Sequence, residues 1–271
     1  MTGLAVHVRE KRFNDALILR DLEFIADSGE FLALVGPSGA GKSTLLNMIA
    51  GLDVDYRGAV SWGDAPEQPA RQSPQPSSQR LGMMFQEPRL MPWLSTLDNV
   101  RLVQSSHERG AQARAEALLH EVGLGAVVDA WPNQLSGGMQ RRAALARAFM
   151  VSPRLLLMDE PFVSLDMPTA NRLRELLLSL WRRERPLVLF VTHDLREALT
   201  LADRVLFMSA PPARVMLDYS VPLARPRGVE NVDISRLQQA LFDEHPALLS
   251  GVLDRPGAMD EVNGTGRRKR D

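Results

Sequence analysis

The sequence predicts an α/β fold: a mainly parallel core sheet, a small antiparallel β-subdomain ahead of it, and an α-helical subdomain inserted into it. Three observations carry this. Short, uniformly apolar runs such as Phe31–Val35 (FLALV) and Leu187–Thr192 (LVLFVT) are the pattern of strands covered on both faces, which parallel sheets require. An amphipathic stretch in which Leu173, Leu176, Leu177, Leu180 and Trp181 share one face separates two such runs, and strand, helix, strand in succession implies parallel pairing. Ahead of the first run the pattern is different, with apolar residues alternating as they do in strands that have one solvated face.

Taken in order, Leu4, Val6 and Val8 alternate with shorter or more polar residues, and Leu17, Leu19, Leu22 and Phe24 flank Arg20-Asp21. The first 25 residues therefore read as paired strands of a small antiparallel sheet. Phe31–Val35 ends in a Gly-rich turn, and a helix follows over residues 43–50 with Leu45, Leu46 and Ile49 on it. Residues 64–79 hold Pro66, Pro69, Pro74 and Pro76 among Ser and Gln, and read as an exposed loop. From residue 88 to 150 the chain is mainly helical: Ala115, Leu118, Leu119 and Val122 fall at i, i+3, i+4 and i+7, and a second helix covers residues 139–150. Residues 154–158 and 187–192 are the strands on either side of the Leu173–Trp181 helix. Beyond Arg225 the periodicity weakens to one more helix over residues 234–242, and residues 251–271 lack a core-forming pattern. The organisation is one domain over residues 1–227 with an extension over 228–271.

Composition excludes several classes. With 271 residues, 45% of them hydrophobic, the chain can bury a sizeable core. A net charge of -1 gives no basic field to follow a nucleic-acid backbone, so nucleic acid is not expected as a partner. No charged stretch followed by an apolar h-region opens the chain, and no run reaches the ~18 apolar residues of a bilayer span, so the chain reads as soluble and unexported. Absence of cysteine removes disulfides and thiolate sites, and five histidines show no paired ligand spacing.

The chemistry is concentrated in short motifs. Gly36, Pro37, Ser38, Gly39, Ala40, Gly41, Lys42, Ser43 and Thr44 fit G-x-x-x-x-G-K-[ST] between a predicted strand and a predicted helix. Glycines let backbone N–H groups approach phosphate oxygens, the helix start adds partial positive charge, and Lys42 adds a full one. Ser43 suits a Mg²⁺ that bridges phosphates. Residues 155–160 (LLLMDE) are an apolar strand ending in two carboxylates, which a parallel sheet delivers to the same edge as that loop. There Asp159 serves the Mg²⁺ shell and Glu160 the attacking water, as general base. His193, just past another apolar strand, emerges at that edge, within reach of the γ-phosphate or the water; a lone strand-end histidine with a structural role is the other reading.

These residues resemble the ATP-binding cassette (ABC) transporter ATPases, a P-loop NTPase fold, over nearly everything from Leu4 to Arg227. Leu135-Ser136-Gly137-Gly138-Met139-Gln140 is similar to that family's signature motif. Ser136, Gly137 and Gly138 open a helix and present free N–H groups and a hydroxyl to an anion, or simply cap it. The resemblance implies ATP and Mg²⁺ as cofactors. It implies a head-to-tail homodimer in which Ser136, Gly137 and Gly138 of one copy meet the γ-phosphate held by Lys42 of the other. It further implies that Gln86 senses Mg²⁺ and the attacking water, that Asp166 in Ser164-Leu165-Asp166 crosses the dimer interface, and that Phe13 stacks on adenine. A core or strand-edge phenylalanine is the other reading of Phe13.

With no membrane segment of its own, a transporter ATPase requires separate integral membrane permease subunits. Residues 87–100 (EPRLMPWLSTLDNV), with Leu90, Met91, Trp93 and Leu94 among prolines, are the candidate to receive them; alternatively Trp93 fills a core. The text FQEPRLMPWLSTLDNV, Ala202-Asp-Arg-Val-Leu206 and Arg225-Pro-Arg227 resembles the nitrate, sulfonate and taurine branch of bacterial importers. That implies a peripheral subunit on the cytoplasmic face of the inner membrane, stimulated indirectly by an extracytoplasmic solute-binding protein. The Pro-rich 64–79 loop and Phe162-Val163-Ser164 depart from that branch, and the chain stops short of the C-terminal regulatory domain of sugar-importer relatives. An exporter ATPase or a non-transport ABC ATPase would share the same hydrolytic residues.

Overall fold

In the computed structural model, which describes residues 2–63, 80–104, 110–228 and 230–252, two long strands, β1 (Thr2–Phe13) and β2 (Ala16–Asp27), form the opening hairpin. β3 (Phe31–Val35) follows, then α1 (Lys42–Ile49) and β4 (Arg57–Trp62). β4 returns to β1 and completes a three-stranded antiparallel sheet of order β2-β1-β4, one strand more than the sequence pattern predicts. After β5 (Leu81–Met84) come α2 (Thr96–Arg101), α3 (Ala111–Glu121) and α4 (Gly137–Met150), which occupy the predicted helical stretch. The remaining elements are β6 (Leu155–Asp159), α5 (Met167–Glu184), β7 (Leu187–Thr192), α6 (Leu195–Leu201), β8 (Arg204–Met208), β9 (Val215–Ser220) and α7 (Val232–Glu244).

Six of these strands build the central sheet in the order β5-β6-β7-β3-β8-β9. Pairing is parallel throughout except at β8 and β9, which run antiparallel. Side chains alternate between two apolar layers. Phe31, Ala33 and Val35 of β3, with Val188 and Phe190 of β7, face the layer that holds α3, α4, α5 and α6. Leu32, Leu34, Leu187, Leu189 and Val191 face the layer that holds α1 and the antiparallel sheet. A strand covered on both faces has no polar side to display, so its sequence reads as an unbroken apolar run.

α4 packs on α2, α3, α5 and β5 and so anchors the helical part to the sheet. Among the described residues, no helix is long and apolar enough to cross a membrane. The predicted 64–79 loop lies outside the described residues, as does all but the start of the predicted loose stretch 251–271, including Arg267 to Arg270.

Candidate active site

Parallel order places the C-terminal ends of β6, β7 and β3 side by side. Asp159 pairs with Val191, and Val35 with Thr192, so the phosphate-loop motif, Asp159-Glu160 and His193 leave the sheet at one edge. β5 lies beside β6 with Met84 opposite Met158, which brings the exposed Gln86 to the same edge.

The loop is built close to its surroundings. Gly41, in the left-handed region at φ 80°, has no room for a side chain: a Cβ would stand 2.7 Å from Ile18 Cγ2 and 2.8 Å from Leu19 Cδ2. Ser38 and Gly39 form its exposed crest, Ala40 is buried beneath, and Thr44 is half-buried on α1. Lys42 opens α1, is buried, and folds back so that Nζ donates to the carbonyls of Gly36 and Pro37, each at 2.8 Å. Burial lowers its pKa from the ordinary lysine value, and the carboxylates of Glu160 and Asp159 oppose that shift.

Asp159 is the counterpart. Burial raises its carboxyl above the ordinary value, opposed first by a hydrogen bond from the Ser43 hydroxyl, while Glu160 raises it further and Lys42 and Arg89 lower it. A hydroxyl and a desolvated carboxylate held together are two hard oxygen donors, the donor set that suits Mg²⁺. Glu160 adopts φ 43°, a conformation that costs a non-glycine residue about 1–3 kcal/mol. Its N–H donates to Val191 O at 3.0 Å, and its Oε2 lies 3.4 Å from His193 Nδ1. The His193 side chain is 60% exposed, so this imidazole is not a core filler.

The other predicted residues stand apart from this cluster. Ser136 caps α4, its hydroxyl accepting the Met139 N–H at 3.3 Å. Gly137 opens onto empty space, and a Cβ on Gly138 would stand 2.6 Å from Thr169 Cγ2. Asp166 caps α5, accepting the Thr169 N–H at 2.9 Å and its hydroxyl at 2.8 Å, and these bonds lower its pKa. Phe13 ends β1 with 70% of its surface exposed, and Trp93 is 66% exposed, so neither fills a core.

Two residues of this region carry no sequence motif. Arg141 Nη1 and Nη2 donate to Pro161 O and Val163 O, each at 2.8 Å, and fix the loop that follows Glu160. Arg147, also on α4, donates to Arg89 O at 2.8 Å and Pro88 O at 2.7 Å and fixes the loop that follows Gln86. The one available signal is a set of three arginines, Arg141, Arg142 and Arg147, on the Ala-rich helix that the LSGGMQ segment opens.

Known proteins resemble this chain in sequence and fold. The family model described as ABC transporter matches residues 19–163. The aliphatic sulfonates import ATP-binding protein SsuB 2 of Burkholderia cenocepacia (strain HI2424) is 44% identical over 241 residues, 89% of this chain and 86% of its own. Its namesake from Rhodococcus jostii (strain RHA1) is 43% identical over 251 residues, 92% of this chain and 93% of its own. Among solved structures, a dimeric, post-hydrolysis state of the ATP-binding cassette MJ0796 bound to ADP and Pi superposes with a TM-score of 0.69 at 28% identity. That likeness covers 83% of this chain and 100% of the other.

Proposed function

The chain belongs to the ABC transporter family, and from that premise we propose that it is the ATP-hydrolysing subunit of an importer that takes up small organic sulfonates. The observation that carries the cargo class is the 43–44% identity to import proteins named for aliphatic sulfonates over most of both chains. Residues 1–227 form the ATPase domain in this reading, with residues 88–150 as its helical subdomain and residues 228–271 as an extension.

ATP phosphates bind at the 36–44 loop. They compete with the Gly36 and Pro37 carbonyls for the Lys42 ammonium, an exchange of neutral acceptors for charged ones that favours nucleotide. Ser43 and Asp159 would hold Mg²⁺, with Gln86 completing the set, and the ion would supply charge neutralisation at the ATP phosphates. Glu160 takes the proton of the attacking water, and His193, whose Nδ1 lies 3.4 Å from Glu160 Oε2, faces the γ-phosphate. Phe13 presents an exposed ring to adenine at the end of β1. The open start of α4 at Ser136, Gly137 and Gly138, together with Asp166, completes the site of a second copy, so the working unit is a homodimer.

The chain acts at the cytoplasmic face of the membrane through separate permease subunits that meet residues 87–100, where Trp93 is exposed. The test is reconstitution with those subunits and the solute-binding protein. ATP hydrolysis should rise when the binding protein carries an alkanesulfonate. Stimulation by a different solute class would overturn the cargo, and hydrolysis indifferent to any binding protein would point instead to export.

A further inference from the structure

The turn that carries His193 is held from behind by a buried polar chain. Thr192, the last residue of β7, is 2% exposed. Its hydroxyl donates to Glu197 Oε2 at 3.0 Å and accepts the Asp194 N–H at 3.0 Å, so it bridges the two sides of the turn. The other oxygen of Glu197 receives Arg174 Nη2, and Arg174 Nη1 donates to Asn171 Oδ1 at 2.7 Å. The same guanidinium lies 4.9 Å over the ring of Phe162, which follows Glu160-Pro161 and meets Phe190 of β7 edge-on at 5.8 Å. One set of contacts therefore joins the turn after β7, which holds His193, to the loop after β6, which holds Glu160.

A buried ion pair such as Arg174–Glu197 adds little net stability, because desolvation offsets its attraction. What it does supply is direction. Asn171 and Phe162 fix Arg174, Arg174 fixes Glu197, and Glu197 leaves the Thr192 hydroxyl one orientation in which it both donates and accepts. The separation of 3.4 Å between His193 Nδ1 and Glu160 Oε2 is just beyond hydrogen-bond range, so a displacement of a few tenths of an ångström decides whether that bond forms.

We propose that Thr192 is a positioning residue for the Glu160–His193 pair, acting through Glu197 and Arg174. The inference rests on the reading that Glu160 and His193 act on the γ-phosphate and its attacking water. Replacing Arg174 strands a buried carboxylate and threatens folding, so the test uses Thr192→Val, which keeps shape and removes only the hydroxyl, and Thr192→Ser, which restores it.

Steady-state hydrolysis by the full chain is measured beside thermal melting, with Glu160→Gln as control. Thr192→Val should lower kcat on the order of tenfold, the scale of a sub-ångström misplacement, with KM for ATP changed less than about twofold. Thr192→Ser should return kcat to within about twofold of the parent. Unchanged kcat in Thr192→Val, a loss confined to KM, or equal losses in the valine and serine variants would overturn the proposal. A silent Glu160→Gln beside an unimpaired Thr192→Val removes this inference alone, whereas an active Glu160→Gln removes the proposed chemistry and this inference with it.

Discussion

Replacing Arg141 by methionine tests whether α4 and the loop after Glu160 are one mechanical unit. The guanidinium makes two hydrogen bonds of 2.8 Å, to Pro161 O and Val163 O, and Arg141 is only 8% exposed. Hydrogen bonds from a charged donor contribute about 1.5–3 kcal/mol each, so the gross loss is about 3–6 kcal/mol. Against that, burial already disfavours the charged guanidinium and lowers its pKa, and methionine recovers this cost. A net loss of about 2–3 kcal/mol remains, which at about 2–4 °C per kcal/mol for a domain of this size is a fall in Tm of roughly 5–10 °C. Nucleotide-free thermal unfolding reads it directly. Arg141→Lys keeps the charge but reaches one carbonyl well, and should fall between. A shift under about 2 °C for the methionine variant, or a lysine variant equal to the parent, would refute the two-carbonyl clamp.

Glu160→Gln should bind ATP, lose at least about 10²-fold in turnover, and collect as a dimer in excess ATP by light scattering; a monomer under those conditions sinks the shared-site arrangement. Asp159→Asn should melt higher than the parent near pH 8. The raised carboxyl pKa means that the folded chain holds this proton more tightly than the unfolded one, so the stability penalty grows as pH rises from the ordinary carboxylate value through the raised one. The gain should therefore vanish toward about pH 4, and a gain that increases on acidification would contradict the assignment. Asn99→Ala should loosen the 91–95 loop. The fully buried amide donates to Met91 O, Leu94 O and Ser95 O at 3.0–3.1 Å and accepts the Met91 N–H at 2.7 Å, so its loss should cost about 2–4 kcal/mol and weaken capture by permease subunits in a pull-down.

How far the fold was legible depended on what each strand must bury. β3, β6 and β7 stand inside the sheet with both faces covered, and their runs identify them. β4 and β5 were not legible because glycine interrupts each where another backbone comes close. A Cβ on Gly58 would stand 2.1 Å from His7 O, and one on Gly82 would stand 2.5 Å from Ala148 O. Close approach is what those positions provide, and it erases the strand pattern.

The candidate site divides in the same way. Asp159 ends β6, Glu160 and His193 directly follow β6 and β7, and Lys42 and Ser43 open the helix reached by the loop after β3, so topology alone gathers them. Phe13 and Trp93 were ambiguous because an aromatic residue suits a core or a partner equally, and their exposure excludes the core. Arg141, Arg147, Asn99 and Thr192 escaped notice for a different reason. Each acts on backbone atoms or side chains that lie far away in the chain or around a turn, and such a partner has no sequence spacing to betray it.

Two of the three arginines of α4, Arg141 and Arg147, bear on how the cycle produces motion. The helix begins at Ser136, Arg141 grips residues 161 and 163, and six residues further on Arg147 grips residues 88 and 89. To slide relative to either loop, α4 must break a pair of charge-assisted bonds at about 1.5–3 kcal/mol each. A displacement imposed at its start is therefore passed on to the loop beside Glu160 and to the loop between Gln86 and the exposed Trp93. In the proposed dimer that displacement would come from the partner's γ-phosphate, so one helix would join hydrolysis on one copy to movement of the proposed permease-receiving loop on the other.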